Sequence, residues 1–229
     1  MATPHPPADL ASLRQALAGE DSVERAAAAE ALAEAGDEAS RPAIRALLAD
    51  PDPITAFRAA CALSLFGDEA GTAVLVWALG KRDLCFEALR AITRLASSAA
   101  LEPVRQFFAR RWLHPLERLQ AAAALHAMKD ASGTEHLERC RNSQRPEERG
   151  FALELAGALR LPGALEILRG VLEDERDAHR LDAARGLWLL GDPRALPVLE
   201  RAARDPADPE LAELAAQAVE AIRAADRND

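Results

Sequence analysis

The residues best able to do chemistry are five histidines, His5, His114, His126, His136 and His179, and three cysteines, Cys61, Cys85 and Cys140. His136 and Cys140 are four apart, so a helix would carry both on one face. A zinc site needs four protein donors, or three and a water. No H-E-x-x-H or C-x-x-C run supplies the rest, so the sequence gives a metal site no support. A reactive thiol needs a depressed pKa, and no neighbouring charge pattern points to one. G-x-x-x-x-G-K-[ST] and G-x-G-x-x-G are both absent, which removes the usual nucleotide cradles. Acidic pairs such as Asp174-Glu175 fall at a helix end or linker and read as caps, not as paired glycosidase carboxylates. The expectation is a chain without catalytic residues, metal or cofactor, and therefore not an enzyme.

The elements that position these residues are set by an internal repeat. Gly-Asp occurs at Gly36-Asp37, Gly67-Asp68 and Gly191-Asp192, and the other copies have lost the glycine. Leu32, Leu63, Leu125 and Leu187 precede this landmark by four residues, with Ala156 in the same slot; Ile44, Leu75, Leu137, Leu168 and Leu199 follow it at a constant offset. The first full copy predicts one helix over about Ser22 to Ala35, capped by Asp21 or Ser22 and ended by Gly36. A second helix follows over about Glu38 to Leu48, with Ile44, Leu47 and Leu48 on one stripe. Asp50-Pro51-Asp52-Pro53 stops it and starts the next copy. A pair this small cannot bury its stripe alone, so pairs must stack. The pattern gives six full pairs between about Ser22 and Ala203. A lone second helix (about Ala8 to Ala18) precedes them and a lone first helix (about Glu210 to Ala225) follows. The fold class is all-α, an α-α superhelix of about seven stacked pairs without strands, in one domain over 1–229 with mobile tails at about 1–7 and 226–229.

The run D-x-x-x-R-x-x-A-x-x-A-L-x-x-x-G-D, then an apolar helix and D-x-D, resembles the HEAT-like repeats of the phycobilin-lyase type. It is carried by Arg25, Ala28, Leu32, Gly36 and Asp37, and again by Arg180, Ala183, Leu187, Gly191 and Asp192. Arg118 and Arg149 hold the arginine slot between them. The resemblance covers nearly the whole chain and implies a right-handed, gently curved superhelix. Its members include chromophore lyases, assembly factors and adaptors, so it does not select one function. The recurrent arginines are expected to pair with linker acids such as Asp52, Asp177 and Asp208, positioning one copy against the next.

Function in such a stack is sought where copies break their own rule. The third copy matches the second only if two residues are dropped, and the fourth regains register only if two are added near Arg110 to His114. That segment carries Arg110, Arg111, Trp112 and His114. Two readings stand: Trp112 and Leu113 plug an altered joint, or Trp112 flanked by arginines is a binding anchor of a hot-spot type. The fourth copy puts Cys140 and Arg141 where others place Leu47-Leu48 or Val171-Leu172, and Arg139, Arg145 and Arg149 make its surroundings basic. Second helices normally line the inner face of a solenoid. There Arg105 recurs at the slot of Arg45 and Arg169, and Trp77 interrupts a row of small or polar residues; it is either an exposed anchor or packed on the next pair. Trp188, beside Leu187, Leu189 and Leu190, reads as structural.

Composition narrows the choice. The net charge is −9 and the pI about 5.2, against a general nucleic-acid binder and against an anionic membrane surface. Residues 81–149 nevertheless carry 13 basic and 9 acidic side chains, a net of +4 between acidic flanks. Three dispersed cysteines imply no disulfide framework and make a reducing cytoplasm the default. No secretory signal and no membrane span is read. The favoured function is a protein-binding scaffold or assembly adaptor, with candidate contacts Trp77, Arg105, Arg111, Trp112, Arg139 and Arg141, and a protein partner bearing an acidic stretch. The alternatives are a bilin lyase-like subunit and, behind it, a nucleic-acid-binding HEAT-like protein.

Overall fold

The computed structural model describes residues 10–227, and all regular structure among them is helical. Fourteen α-helices follow in order: α1 (Leu10–Ala16), α2 (Ser22–Glu34), α3 (Arg41–Ala46), α4 (Pro53–Leu65), α5 (Thr72–Ala78), α6 (Cys85–Leu95), α7 (Leu101–Phe108), α8 (Pro115–Ala127), α9 (Ala131–Cys140), α10 (Pro146–Ala158), α11 (Ala164–Glu173), α12 (Arg180–Leu190), α13 (Leu196–Ala202) and α14 (Pro209–Asp226). They make up the helix pairs of an α-solenoid, α2/α3 to α12/α13 in chain order, with α1 before them and α14 after, as the repeat requires. Of the expected mobile tails, residues 1–7 and 228–229 lie outside the described residues, as does Ala8, and Asp226 closes α14.

The chain divides into two compact units. Met1–Leu113 with Ala124–Asp130 form one, and His114–Ala123 with Ala131–Asp229 the other. In the first unit, the first helices pack in series, α2 on α4 and α4 on α6. Leu32, Leu63, Leu89 and Ile92 are wholly buried there, with Ile44 and Leu75 from the second helices. In the second unit α10 packs on α12 and α12 on α14, around Leu168, Leu187, Leu199 and Leu211. The α10–α12 approach is tight at Gly157, where a Cβ would stand 1.9 Å from the carbonyl oxygen of Gly186.

Helix ends follow the reading of the linkers. Asp21 and Asp52 accept from backbone N–H groups at the starts of α2 and α4, and Pro53 occupies the first turn of α4. Gly36, Gly67 and Gly191 end first helices with φ of 68°, 67° and 65°. The next residue's N–H then returns to the helix, as Asp37 N to Leu32 O (2.9 Å) and Asp68 N to Leu63 O (3.0 Å). Where the glycine is lost the backbone keeps the same turn. Ala96, Lys129 and Arg160 have φ of 49°, 62° and 51°, and Asp130 N and Leu161 N close the same bond on Leu125 O and Ala156 O. Several second helices open with a 3₁₀ turn, as at Glu38–Ser40 and Glu69–Gly71.

Candidate functional site

Two series of arginine–aspartate pairs tie neighbouring copies together. In the first series a first-helix arginine reaches the next linker. Arg25 pairs with Asp50 (2.8 Å), Arg149 with Asp177 (2.6 Å) and Arg180 with Asp205 (3.2 Å). The same guanidinium groups also donate to backbone carbonyls of the preceding linker or helix end, at Gly19, Arg141 and Leu172. The pairing expected with Asp177 holds, and that with Asp52 and Asp208 is corrected: Asp50 and Asp205 take the arginines, while Asp52 and Asp208 accept from helix-start backbone N–H groups, Asp52 from Ile54 and Thr55 and Asp208 from Leu211.

In the second series, which sequence reasoning missed, a second-helix arginine binds the landmark aspartate of the following copy. Arg14 meets Asp37 (2.5 Å), Arg45 meets Asp68 (2.5 Å) and Arg105 meets Asp130 (2.6 Å). The Asp37 carboxylate also accepts from the Ser40 hydroxyl, and the Arg14 and Ser40 hydrogen bonds hold its pKa at about 2. Hydrogen bonding to the charged form is the cause.

Among the candidate contacts, Trp77, Arg105, Arg111 and Trp112 belong to the first unit and Arg139 and Arg141 to the second. Trp77 on α5 is 42 % exposed, with the Lys81 ammonium 5.0 Å from its ring centre. Trp112 is 87 % exposed, so it does not plug the joint, and the Arg111 guanidinium lies 4.9 Å from its ring centre. The extra residues fall between α7 and α8: the buried slots Val104 and Leu125 are 21 residues apart, whereas Ile44 and Leu63, and Leu137 and Ala156, are 19 apart. Arg110, at the same joint, donates to the Leu79 carbonyl at the end of α5 and sits over the Phe107 ring at 4.5 Å. Arg105 is spent on Asp130 and, at 3.6 Å, on Glu102. Arg139 is exposed at the end of α9. Arg141 is half-buried, and its Nη1 is enclosed without an acceptor among the described residues. Trp188 is half-buried on α12.

The second unit holds a cluster that the sequence showed only in part. His136 and Cys140 share a face of α9, with Nε2 and Sγ 3.5 Å apart, and Glu148 in the first turn of α10 brings a carboxylate to them. Glu148 belongs to the next helix, so helical spacing could not reveal it. Cys61, Cys85 and Cys140 are all buried, and none is in a disulfide. Burial, then the Glu87 charge, pushes the Cys61 thiol up to about 12, which makes it inert as a nucleophile.

Stacked helix pairs joined by short acidic linkers, with an arginine of one copy bound to an aspartate of the next, define a helical-repeat protein. The sequence matches the HEAT repeats family over residues 10–85 and 135–220, and the chain belongs to that family. No curated protein matches it. Among solved structures it is similar to a chain in the complex of CpcE and CpcF of phycocyanin lyase from Nostoc sp. PCC7120. The two are 18% identical over 99% of this chain and 96% of that one, with a TM-score of 0.60. It is also similar, at a TM-score of 0.41, to human deoxyhypusine hydroxylase in complex with glycerol, 18% identical over 96% of this chain and 86% of that one. No described helix is long and apolar enough to cross a membrane.

Proposed function

We propose that this chain works by holding a protein partner, as one subunit of an assembly, and that it contributes no catalytic residues of its own. The supporting observation is Trp112, a large apolar ring left 87 % exposed beside an arginine. Trp and Arg are the residue types that dominate binding energy at interfaces. Arg111 and Arg139, both exposed, favour a partner with an acidic stretch, since a guanidinium group pairs with a carboxylate. The test is capture of the partner by the native chain from its own cell extract, followed by calorimetry with the purified pair. A partner bound no more weakly by the Trp112→Ala chain than by the wild type removes the reading.

A bilin lyase-like subunit is the second reading, and the full-length likeness to a chain of the CpcE–CpcF complex supports it more directly than it supports a generic scaffold. The two readings share the protein partner and differ in the chromophore. Added bilin distinguishes them: a shifted, intensified absorption band in the presence of chain and partner supports the second reading, and an unchanged bilin spectrum supports the first. The cytoplasm is the compartment proposed for either, in keeping with three cysteines outside any disulfide.

A further inference from the structure

The repeat gives each position of α9 a comparison. The slot of His136 is filled by Val74, Ile167 and Val198 in other copies, and that of Cys140 by Leu47, Phe107 and Val171. In this copy alone two apolar slots, one helical turn apart, carry an imidazole and a thiol. The first turn of α10 then adds the carboxylate of Glu148, so that one ligand atom from each of the three residues lies within 4.8 Å of the others.

We propose that His136, Cys140 and Glu148 bind a divalent transition-metal ion of the zinc class, leaving a coordination position open to water or to a donor from a bound molecule. Geometry is the first argument. Zn–S and Zn–N bonds of about 2.3 and 2.0–2.1 Å at a tetrahedral angle place S and N about 3.6 Å apart. Cys140 Sγ and His136 Nε2 are 3.5 Å apart. A thiol–imidazole hydrogen bond spans a similar distance, but it does not require a carboxylate delivered to the same point by a second helix. The donor set is the second argument, since nitrogen, sulfur and oxygen together suit zinc better than a hard cation such as magnesium or calcium. With a thiolate and a carboxylate, a divalent ion also leaves the site uncharged.

The surroundings hold the donors ready. Ser143 donates its hydroxyl hydrogen to Glu148 and accepts at Oγ from the Arg145 backbone N–H (3.2 Å), which orients the carboxylate. Burial, then the charges of Arg139 and Arg118, lowers the pKa of His136 and keeps the ring in its neutral, ligating form. A metal-bound cysteine ligates as the thiolate, so the incoming ion displaces the Cys140 proton.

The test is titration of the full-length chain with Co²⁺, then displacement with Zn²⁺. One equivalent of Co²⁺ should produce a thiolate-to-cobalt charge-transfer band that Zn²⁺ abolishes. Cys140→Ser should lose the band, and Glu148→Gln and His136→Gln should each bind at least about tenfold more weakly, the loss seen even for supporting residues. Cys61→Ser and Cys85→Ser should keep it. Circular dichroism of every variant separates a lost site from a lost fold; if Cys140→Ser does not fold, the two glutamine variants decide between site and no site. A wild-type chain without the band, or a band unchanged in Glu148→Gln and His136→Gln, overturns the proposal.

Discussion

Arg105 binds Asp130 across 25 residues of chain, whereas Arg14–Asp37 and Arg45–Asp68 each span 23. The two added residues between α7 and α8 are thus absorbed without breaking the contact. This makes Arg105 a strut between copies. Arg105→Ala should lower stability while leaving partner affinity within about threefold per molecule that remains folded, the range expected of a charge outside the binding hot spot. Urea melts run alongside calorimetry check both parts.

Asp37 makes stability depend on pH. Its folded pKa of about 2 lies below the unfolded value of about 3.9. Its contribution is therefore complete above pH about 4 and is lost as pH falls through about 2. The urea midpoint should fall across that window, and Asp37→Asn should show a shallower fall than the wild type.

The left-handed residues give a sign test. Ala96→Gly and Lys129→Gly should each stabilise by about 0.5–1 kcal/mol. Strain of about 1–2 kcal/mol is relieved, less about 0.4–1 kcal/mol for the looser unfolded chain. Gly36→Ala and Gly67→Ala should destabilise, because both glycines have positive φ. Thermal melts of the four variants decide it, and an unchanged melting temperature in both glycine gains counts against strain at these turns.

Leu63→Ala and Leu187→Ala should each cost about 2–5 kcal/mol by leaving a cavity in a closed stack. Both leucines are wholly buried at the same repeat slot. Gly157→Ala should cost about 1–3 kcal/mol for a different reason, since its methyl group would overlap the Gly186 carbonyl and push α12 away from α10. Equilibrium unfolding of the three variants against wild type provides the numbers.

For the partner surface, Trp77→Ala and Arg139→Glu are compared with Arg201→Glu, which lies in the acidic C-terminal part and pairs with Glu173. Either of the first two should weaken binding by about 2 kcal/mol if it removes an anchor. Calorimetry on folded variants reads this out. If both bind like wild type while Arg201→Glu does not, the contact surface lies elsewhere.

The helices were legible because the repeat states them six times over. A constant Leu slot, a Gly-Asp landmark and Pro at linkers fix the bounds of α2 and α14 to within a residue. The first arginine series was legible for the same reason, in Arg25, Arg149 and Arg180. The second was not, because Asp37 and Asp68 read as turn residues next to glycine, although an Arg 23 residues earlier was there to be counted. Trp112 left two readings open in the sequence, since a tryptophan in a widened joint serves equally as plug or anchor until its exposure is known. Glu148 was hidden by the turn between α9 and α10, whose geometry alone decides which first-turn side chain meets His136.

The ion pairs that join helices, from Arg14–Asp37 to Arg185–Glu154, close loops of only 23 to 31 residues. A chain assembled from such short closures has little entropy to lose before its contacts form, and its folding should be correspondingly fast. Order can begin at any copy and spread to its neighbours, so that a bound partner stabilising one copy protects the amides of adjacent copies more than those of distant ones.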